Sequence, residues 1–296
     1  MKMILLFAMQ TLRIAIPYLF AASGGVLAER AGVVSLTLEG FMLSGAFGAA
    51  LGSYFLGGAW AGVLCGVLGG LLFGIIHAVA SVRYRADQIV VGVALNLLAV
   101  GLTRFFLRFA FGSSSNSPRV AGFGDPAGNA SAFAAFANPL VWLGILAVPL
   151  CAFLVYRTPF GLRLRAAGEK PEAAVSLGVN VARVRYVAVA LSGVLASLGG
   201  VYLALDQHQF TDEMTAGRGF IALAAVIFGR WDPVRAGVAC LLFAAAETLQ
   251  IQLQGANAIA SQFIAMIPYL LTVVALAGVV GRSVPPAALG RADAAA

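Results

Sequence analysis

Charged side chains are scarce in this sequence. Asp, Glu, Lys and Arg make up 10% of its 296 residues, and hydrophobic residues make up 61%, with a mean hydropathy of +0.94. In soluble proteins about a quarter of the residues are charged, and no soluble core could bury this much apolar surface. The composition therefore excludes a soluble domain and predicts an all-α integral membrane protein, here a single domain of residues 1–296.

Lysine is nearly absent. It occurs only at positions 2 and 170, and neither position lies in a Gly-x4-Gly-Lys-Ser/Thr loop. Such a loop cradles nucleotide phosphates with its backbone N–H groups. We therefore predict no ATPase site and no cofactor in this chain. Energy for transport would have to arrive from another subunit, which would use the ATP and Mg²⁺.

Cysteine and histidine are also few, and they form no metal-binding pattern. Cys65, Cys151 and Cys240 lie singly inside apolar segments, without a Cys-x-x-Cys or Cys/His grouping. We interpret them as small packing residues and predict no metal site. No Ser/His/Asp set is evident either, which disfavours an intramembrane enzyme.

The net charge of +7 could indicate a nucleic-acid partner. The arginines, however, lie at the ends of apolar segments rather than in one patch. This distribution is the positive-inside pattern of membrane proteins, in which Lys and Arg collect in cytoplasmic loops. We therefore expect the protein to lie in a lipid bilayer with its C-terminus in the cytoplasm, and we expect no nucleic-acid partner.

Apolar segments of about 20 residues, the length that crosses a bilayer, recur along the chain. We predict eight or nine membrane helices, with crossings near residues 11–28, 37–56, 58–82, 87–107, 139–156, 187–205, 236–254 and 263–280. The segment 219–228 is too short to cross, so we expect either a helix that extends back to Met214 or a broken helix. The polar tail 283–296 should have little fixed structure.

A strict four-residue spacing of glycine marks the third segment. Small residues at this interval let two membrane helices approach closely, so they predict a packing face. They are Gly58, Gly62, Gly66, Gly70 and Gly74.

The longest water-soluble run, residues 157–185, has more basic than acidic residues and should be cytoplasmic. Within it, proline at the first turn and a carboxylate near the positive end of the helix dipole indicate a helix start at residues 171–174. Gly178 is a natural end for that helix. The pattern predicts a short helix that docks onto a soluble partner, and a solvated loop with an incidental helix is the alternative.

At these residues the sequence resembles a known family. EAAVSLG at residues 172–178 resembles the EAA signature of ABC-importer permeases, the loop that inserts into the ATPase subunit. GLRLRAAGEKP at residues 161–171 resembles the branch that imports ribose, other simple sugars and nucleosides, although Lys170 stands where an asparagine is expected. ERAGVV to LEG at residues 29–40 and GRGFIALA to GRWDP at residues 217–233 resemble nucleoside-type permeases that work with a basic-membrane-protein-type binding lipoprotein.

The resemblance covers residues from about 11 to about 281 and implies a permease subunit in the bacterial cytoplasmic membrane. It implies three partners: a cytoplasmic ABC ATPase, a second permease subunit in a heterodimer, and an extracytoplasmic substrate-binding lipoprotein. The implied substrate is a nucleoside, with ribose or another simple sugar as the alternative. The implied ATPase-coupling residues are Gly168, Glu169, Pro171, Glu172, Ala173, Ala174 and Gly178.

Six residues inside or beside apolar segments are candidates for the substrate pathway: Glu39, Gln88, Asn96, Phe220, Glu247 and Gln250. Polar groups in lipid are costly unless they face protein, water or an opposite charge. Structural alternatives exist: an ion pair of Glu39 with Arg30 or Arg13, an ion pair of Glu247 with an arginine of another helix, hydrogen bonding between helices for the amides, and packing for Phe220. A secondary transporter with Glu39 and Glu247 as proton or sodium sites is the competing function.

Overall fold

The computed structural model describes residues 2–123, 137–254 and 284–291, and these residues form ten α-helices without a β-sheet. The helices are α1 (Lys2–Arg30), α2 (Leu38–Leu56), α3 (Ala59–Ala78), α4 (Gln88–Phe111), α5 (Pro139–Arg157), α6 (Pro159–Glu169), α7 (Pro171–Ser176), α8 (Val181–Asp206), α9 (Arg218–Phe228) and α10 (Pro233–Gln254). A π-helical turn, Val79–Arg83, continues α3. The predicted crossing 263–280 lies outside the described residues.

Six of these helices are long and apolar enough to cross a membrane: α1, α3 with its π-helical turn, α4, α5, α8 and α10. Most residues of α2 are buried, and α9 is a shorter apolar helix of 11 residues. The all-α membrane class predicted from composition is therefore confirmed.

The centre of the bundle consists of α1, α2 and α8. α2 packs against α3 and α8, and α1 packs against α8 and α10. Small residues make these approaches possible, since a Cβ on Gly45 would collide with Ser197 and a Cβ on Gly200 would collide with the carbonyl of Met42. Van der Waals contact of this kind is what holds helices together in lipid.

The glycine face of α3 is confirmed as a packing face. Gly62 and Gly66 lie against the backbone of α2, and Gly70 and Gly74 lie against α8. Gly58 is the exception, because it precedes α3 with a φ of 157° and no described atom lies within 4 Å of a Cβ built there.

The water-soluble run 157–185 holds two helices rather than the single one predicted. α7 begins at Pro171 as expected, and Gly178 follows it with a φ of 78°, the left-handed conformation typical of a residue just past a helix end. The preceding helix α6 was missed. Its signal is Thr158, whose hydroxyl accepts the N–H of Gly161 at 3.1 Å, followed by proline at the first helical position.

One of the two alternatives for the segment 219–228 was wrong, and so was the expectation for the C-terminal tail. α9 does not extend back to Met214, because Ala216 and Gly217 have φ angles of 47° and 82°, which no right-handed helix contains. The broken-helix alternative is the correct one. The tail is also more ordered than expected: the N–H of Ala288 donates to the carbonyl of Gly168 at 2.9 Å, and residues 284–291 pack at the end of the bundle that carries α6 and α7. We call this end the loop side.

Candidate functional site

A cavity of about 340 Å³ lies between α2, α4 and the segment that leads into α9. It contains three of the six predicted pathway residues, Glu39, Asn96 and Phe220. Apolar side chains of Leu43, Leu97 and Val100 form much of its wall, and Glu213 adds a carboxylate. Thr215 also borders the cavity but is 1% exposed. Short helix α9 therefore begins at the cavity.

Glu39 holds the N-terminus of α9. Its Oε1 accepts the backbone N–H of Gly217 at 2.8 Å, and its Oε2 accepts that of Gly219 at 2.6 Å. The first N–H groups of a helix have no partner within the helix and lie at the positive end of its dipole, so a carboxylate is favourable there. The predicted ion pair with Arg13 or Arg30 is wrong, because these arginines bond to Asp206 and to Trp231.

Asn96 and Gln88 fasten the start of α2 and the residues before it. The Asn96 amide accepts the N–H of Gly40 at 2.8 Å and donates to the carbonyl of Leu36 at 2.9 Å. Gln88 is 4% exposed and accepts the N–H of Val34 at 2.7 Å, away from the cavity. Hydrogen bonding between segments, the structural alternative for both amides, is therefore present.

Phe220 lies in the first turn of α9, where its side chain lines the cavity and is 46% exposed. Its ring is an apolar surface that a planar or sugar-like solute could contact. The side chains of Glu39 and Asn96 hydrogen-bond to the protein backbone, whereas the Phe220 ring makes no hydrogen bond.

Glu247 and Gln250 do not line this cavity. Glu247 pairs with Arg218 at 2.9 Å and accepts a hydrogen bond from the Tyr18 hydroxyl, so it ties α10 to the start of α9 and to α1. The predicted alternative, an ion pair with an arginine of another helix, is confirmed. Within residues 2–123, 137–254 and 284–291, no three Asp, Glu, His or Cys side chains are grouped to hold a metal ion.

Arg104 of α4 pairs with two carboxylates, one of which belongs to a residue that lines the cavity. It follows Val100 by one turn of α4 and pairs with Asp212 at 2.7 Å and with Glu213 at 2.9 Å. Glu213 itself lines the cavity, so this double ion pair joins two of its walls. Asp206, Asp212 and Glu213 are close together in the sequence, but only the structure shows that their partners are Arg13 and Arg104.

Two motifs that were separate in the sequence meet in the structure. The buried carboxylate of Glu29 accepts the indole N–H of Trp231, and Arg30 Nε donates to the Trp231 carbonyl at 2.8 Å. Arg230 and Trp231 have φ angles of 53° and 57°, a left-handed conformation that costs non-glycine residues about 1–3 kcal/mol each. The grip of Glu29 and Arg30 stabilises this turn, which joins α9 to α10.

The predicted coupling residues fall into two groups. Gly168 is buried against the end of α1, where a Cβ would collide with the Arg30 carbonyl, and Glu169 accepts the N–H of Ala287 at 3.4 Å. These two residues contact the chain itself. The others belong to α7 and its flanks, where Glu172, Ala173 and Gly178 are exposed, Pro171 is half-buried and Ala174 is buried.

Sequence reasoning missed the exposed apolar residues beside them. Val175 lies in α7 and is 42% exposed, and Leu177 follows α7 directly and is 83% exposed.

Comparison with known proteins identifies the family. The profile of the family described as "Branched-chain amino acid transport system / permease component" matches residues 7–276. The chain belongs to this permease family. It is a transport component and a multi-pass membrane protein, in agreement with the six long apolar helices found among the described residues.

Curated relatives of this permease align over most of its length. It is 38% identical over 301 residues to the guanosine ABC transporter permease protein NupQ of Bacillus subtilis, covering 95% of this chain and 93% of that protein. It is 37% identical over 294 residues to the nucleoside ABC transporter permease protein NupC of Lactococcus lactis subsp. cremoris, covering 93% and 92%. A putative glucose ABC transporter permease of Haloferax volcanii is 34% identical over 258 residues, covering 82% and 76%.

Proposed function

We propose that this permease is the subunit through which nucleosides cross the bacterial cytoplasmic membrane in an ABC importer. The observation that carries the proposal is the similarity to two permeases named for guanosine and nucleosides, over 95% and 93% of this chain. A cytoplasmic ATPase supplies the energy with ATP and Mg²⁺, and this chain has no ATPase site of its own. A binding lipoprotein delivers the substrate, and a second, different permease chain completes the path.

Helix α7 is the proposed docking element for the ATPase. Its position on the loop side, beside the basic residues of segment 157–185, suits a cytoplasmic location. Exposed apolar residues at a protein surface mark interaction sites, and Leu177 with Val175 offers such a surface at the tip. A short apolar helix inserted into a groove is a common mode of protein recognition. In this orientation the C-terminal residues 284–291 also lie in the cytoplasm.

The cavity beside α9 is the proposed substrate contact. Its volume of about 340 Å³ lies within the range of about 300–1,000 Å³ of small-molecule sites. Phe220 offers a face against which a planar base can stack, and the Glu213 carboxylate, whose side chain is 57% exposed, can accept hydrogen bonds from ribose hydroxyls.

A simple sugar is the second candidate substrate, because the Haloferax volcanii relative is named as a putative glucose permease. An ion-coupled transporter is less favoured. The two carboxylates that it would use, Glu39 and Glu247, are occupied by backbone N–H groups and by Arg218.

Uptake in whole cells tests the proposal. Cells that lack this gene and cells that carry it again are supplied with labelled guanosine, adenosine, uridine, glucose and ribose. We expect restored, ATP-dependent uptake of nucleosides only. Restored uptake of glucose or ribose alone would establish the sugar alternative, and uptake that persists after deletion of the ATPase gene would contradict the ABC mechanism.

Two substitutions test the docking element. Glu172→Lys and Gly178→Asp should abolish uptake while the protein still inserts into the membrane, since both positions are exposed and Gly178 has no described atom within 4 Å of an added Cβ. Gly178→Asn is the matched control, because asparagine is a natural alternative to glycine in the left-handed conformation. Unchanged uptake in both test variants would remove α7 from the mechanism.

A further inference from the structure

The segment between α1 and α2, residues 31–37, lies against the elements of the loop side. We call it the connector. The carbonyl of Ala31 accepts Arg185 Nε of α8 at 3.1 Å, and the carbonyl of Gly32 accepts the N–H of Gly290 at 3.2 Å. Gly168 lies three residues before Pro171, the first residue of α7. It packs so closely on Arg30 that an added Cβ would collide with the Arg30 carbonyl oxygen. A displacement of residues 157–185, which we call the docking segment, would therefore reach the connector directly.

The residues that flank the connector hold α9 at both of its ends. Glu29 and Arg30, on one flank, hold Trp231 just beyond the C-terminal end of α9. Glu39, on the other flank, accepts the N–H groups of Gly217 and Gly219 at the N-terminal end. Two carboxylates from one stretch of chain, residues 29–39, therefore bind the two ends of α9.

The connector has little freedom to move within itself. Glu29 accepts both the N–H and the hydroxyl of Ser35, at 3.2 and 3.1 Å. Val34 is held by Gln88, Leu36 by Asn96 and Thr37 by His77. A segment whose polar groups are fixed at successive positions moves as a unit with its neighbours.

We infer that residues 29–39 transmit movement of the docking segment 157–185 to α9, and that Trp231 is the positioning residue of this link. The inference rests on the proposed function, because movement of the docking segment follows from ATPase binding. Trp231 is 5% exposed, and its backbone N–H donates to the carbonyl of Val226 in α9 at 3.0 Å. The position of Trp231 is therefore tied to that of α9. α9 in turn begins directly after Gly217 and carries Phe220, and both residues line the cavity.

Trp231→Phe tests this link, because it keeps an aromatic ring in place and removes the N–H that Glu29 accepts. The complete importer, with ATPase, second permease subunit and binding protein, is placed in liposomes, and guanosine uptake and ATP hydrolysis are measured together. We expect uptake to fall about fivefold, the effect of losing one hydrogen bond, while ATP hydrolysis stays near the wild-type rate. The number of ATP molecules hydrolysed per guanosine therefore rises.

A double variant separates the link from general destabilisation. Glu29→Gln together with Trp231→Phe should raise the ATP-to-guanosine ratio no further than Trp231→Phe alone, since both changes remove the same contact. Trp60→Phe is the matched control. Trp60 is 60% exposed and packs edge-to-face on Phe123, away from the connector, so its loss of an indole N–H should leave the ratio unchanged.

A purely structural role of Trp231 gives a different result. Complex yield, ATP hydrolysis and uptake would then fall in parallel, and an unchanged ratio would overturn the inference. Failure of the proposed function is distinguishable, because the wild-type complex would then move no guanosine or would hydrolyse no ATP, whatever stands at position 231.

Discussion

The Oε2 atom of Glu39 lies 2.6 Å from the backbone nitrogen of Gly219, and the backbone of Glu39 occupies the space where a side chain at position 219 would begin. This approach joins the start of α2 to the first turn of α9. It needs a carboxylate on one side, because the helix start presents unpaired N–H groups. It needs glycine on the other side, because a Cβ would separate the two backbones.

Gly219→Ala should therefore displace the start of α9. Overpacking of a close contact destabilises by about 1–3 kcal/mol, and here the displacement also breaks the hydrogen bond to Glu39. We expect a lower melting temperature of the purified permease and a large loss of guanosine uptake. The melting temperature is measured on the detergent-purified permease, and guanosine uptake is measured in cells that express the same variant.

Gly101→Ala is the control for this substitution. Gly101 is an exposed position of α4, and no described atom lies within 4 Å of a Cβ placed there. Alanine is favoured over glycine in a helix by up to about 1 kcal/mol, so stability should be equal or higher and uptake unchanged. Equal behaviour of the two alanine variants would contradict the close approach of α2 and α9.

Hydropathy predicted most of the helices, because length and apolar content are visible in the sequence. The roles of Gln88 and Asn96 were not visible, since an amide inside an apolar segment has the same pattern whether it faces a solute or a backbone. What decides is the neighbouring chain: Val34 for Gln88, and Leu36 with Gly40 for Asn96.

Contacts between distant motifs were beyond sequence reasoning for a related reason. Glu29 and Trp231 are 202 positions apart, and nothing local indicates that they meet. The start of α9 depends in the same way on the left-handed conformation of Ala216 and Gly217, which Glu39 stabilises from another helix. The short helix α7, in contrast, was predictable because its proline, its first-turn carboxylate and its terminal glycine are all local signals.

The ion pair between Arg218 and Glu247 should behave as a coupled unit. Both side chains are about one-fifth exposed, at 22% and 21%, so removal of one leaves a poorly solvated charge on the other. Glu247→Met and Arg218→Met should each lower the free energy of unfolding by about 1–3 kcal/mol. The double variant should lose less than the sum, because it leaves no unpaired charge.

Denaturant unfolding of the four proteins in detergent measures this coupling. Additive losses would show that the two residues contribute independently and that the pair has no special role at the start of α9.

Leu177→Asp should weaken binding of the ATPase without weakening the permease fold. The side chain is 83% exposed, so its replacement costs the isolated permease little, whereas a charge at the tip of α7 would be buried on docking without a partner. We expect loss of ATPase co-purification and of uptake at an unchanged melting temperature.

Val284→Asp is the control. It introduces the same charge at another apolar position on the loop side, 78% exposed, and should leave ATPase co-purification and uptake intact. Loss of binding in both variants would indicate a general charge effect instead.

Ala288 fastens the C-terminal residues 284–291 to the docking segment, and its small size is required there. It is 2% exposed, its N–H donates to the Gly168 carbonyl at 2.9 Å, and its own carbonyl lies 3.2 Å from a Cβ built on Gly32. Ala288→Leu has no space for three further carbons, so it should lift residues 284–291 away and leave the carbonyl of Gly168 without this partner. We expect faster proteolysis of the tail and a lower melting temperature.

The neighbouring substitution Ala287→Leu adds the same atoms at an exposed position. It should leave proteolysis and melting temperature at their wild-type values, since an exposed position has space for the added side chain. If the segment only rests on the loop side without fastening it, Ala288→Leu would also be silent. A difference between the two leucine variants would show that the C-terminal segment stabilises the end of α6, immediately before the helix that we propose docks the ATPase.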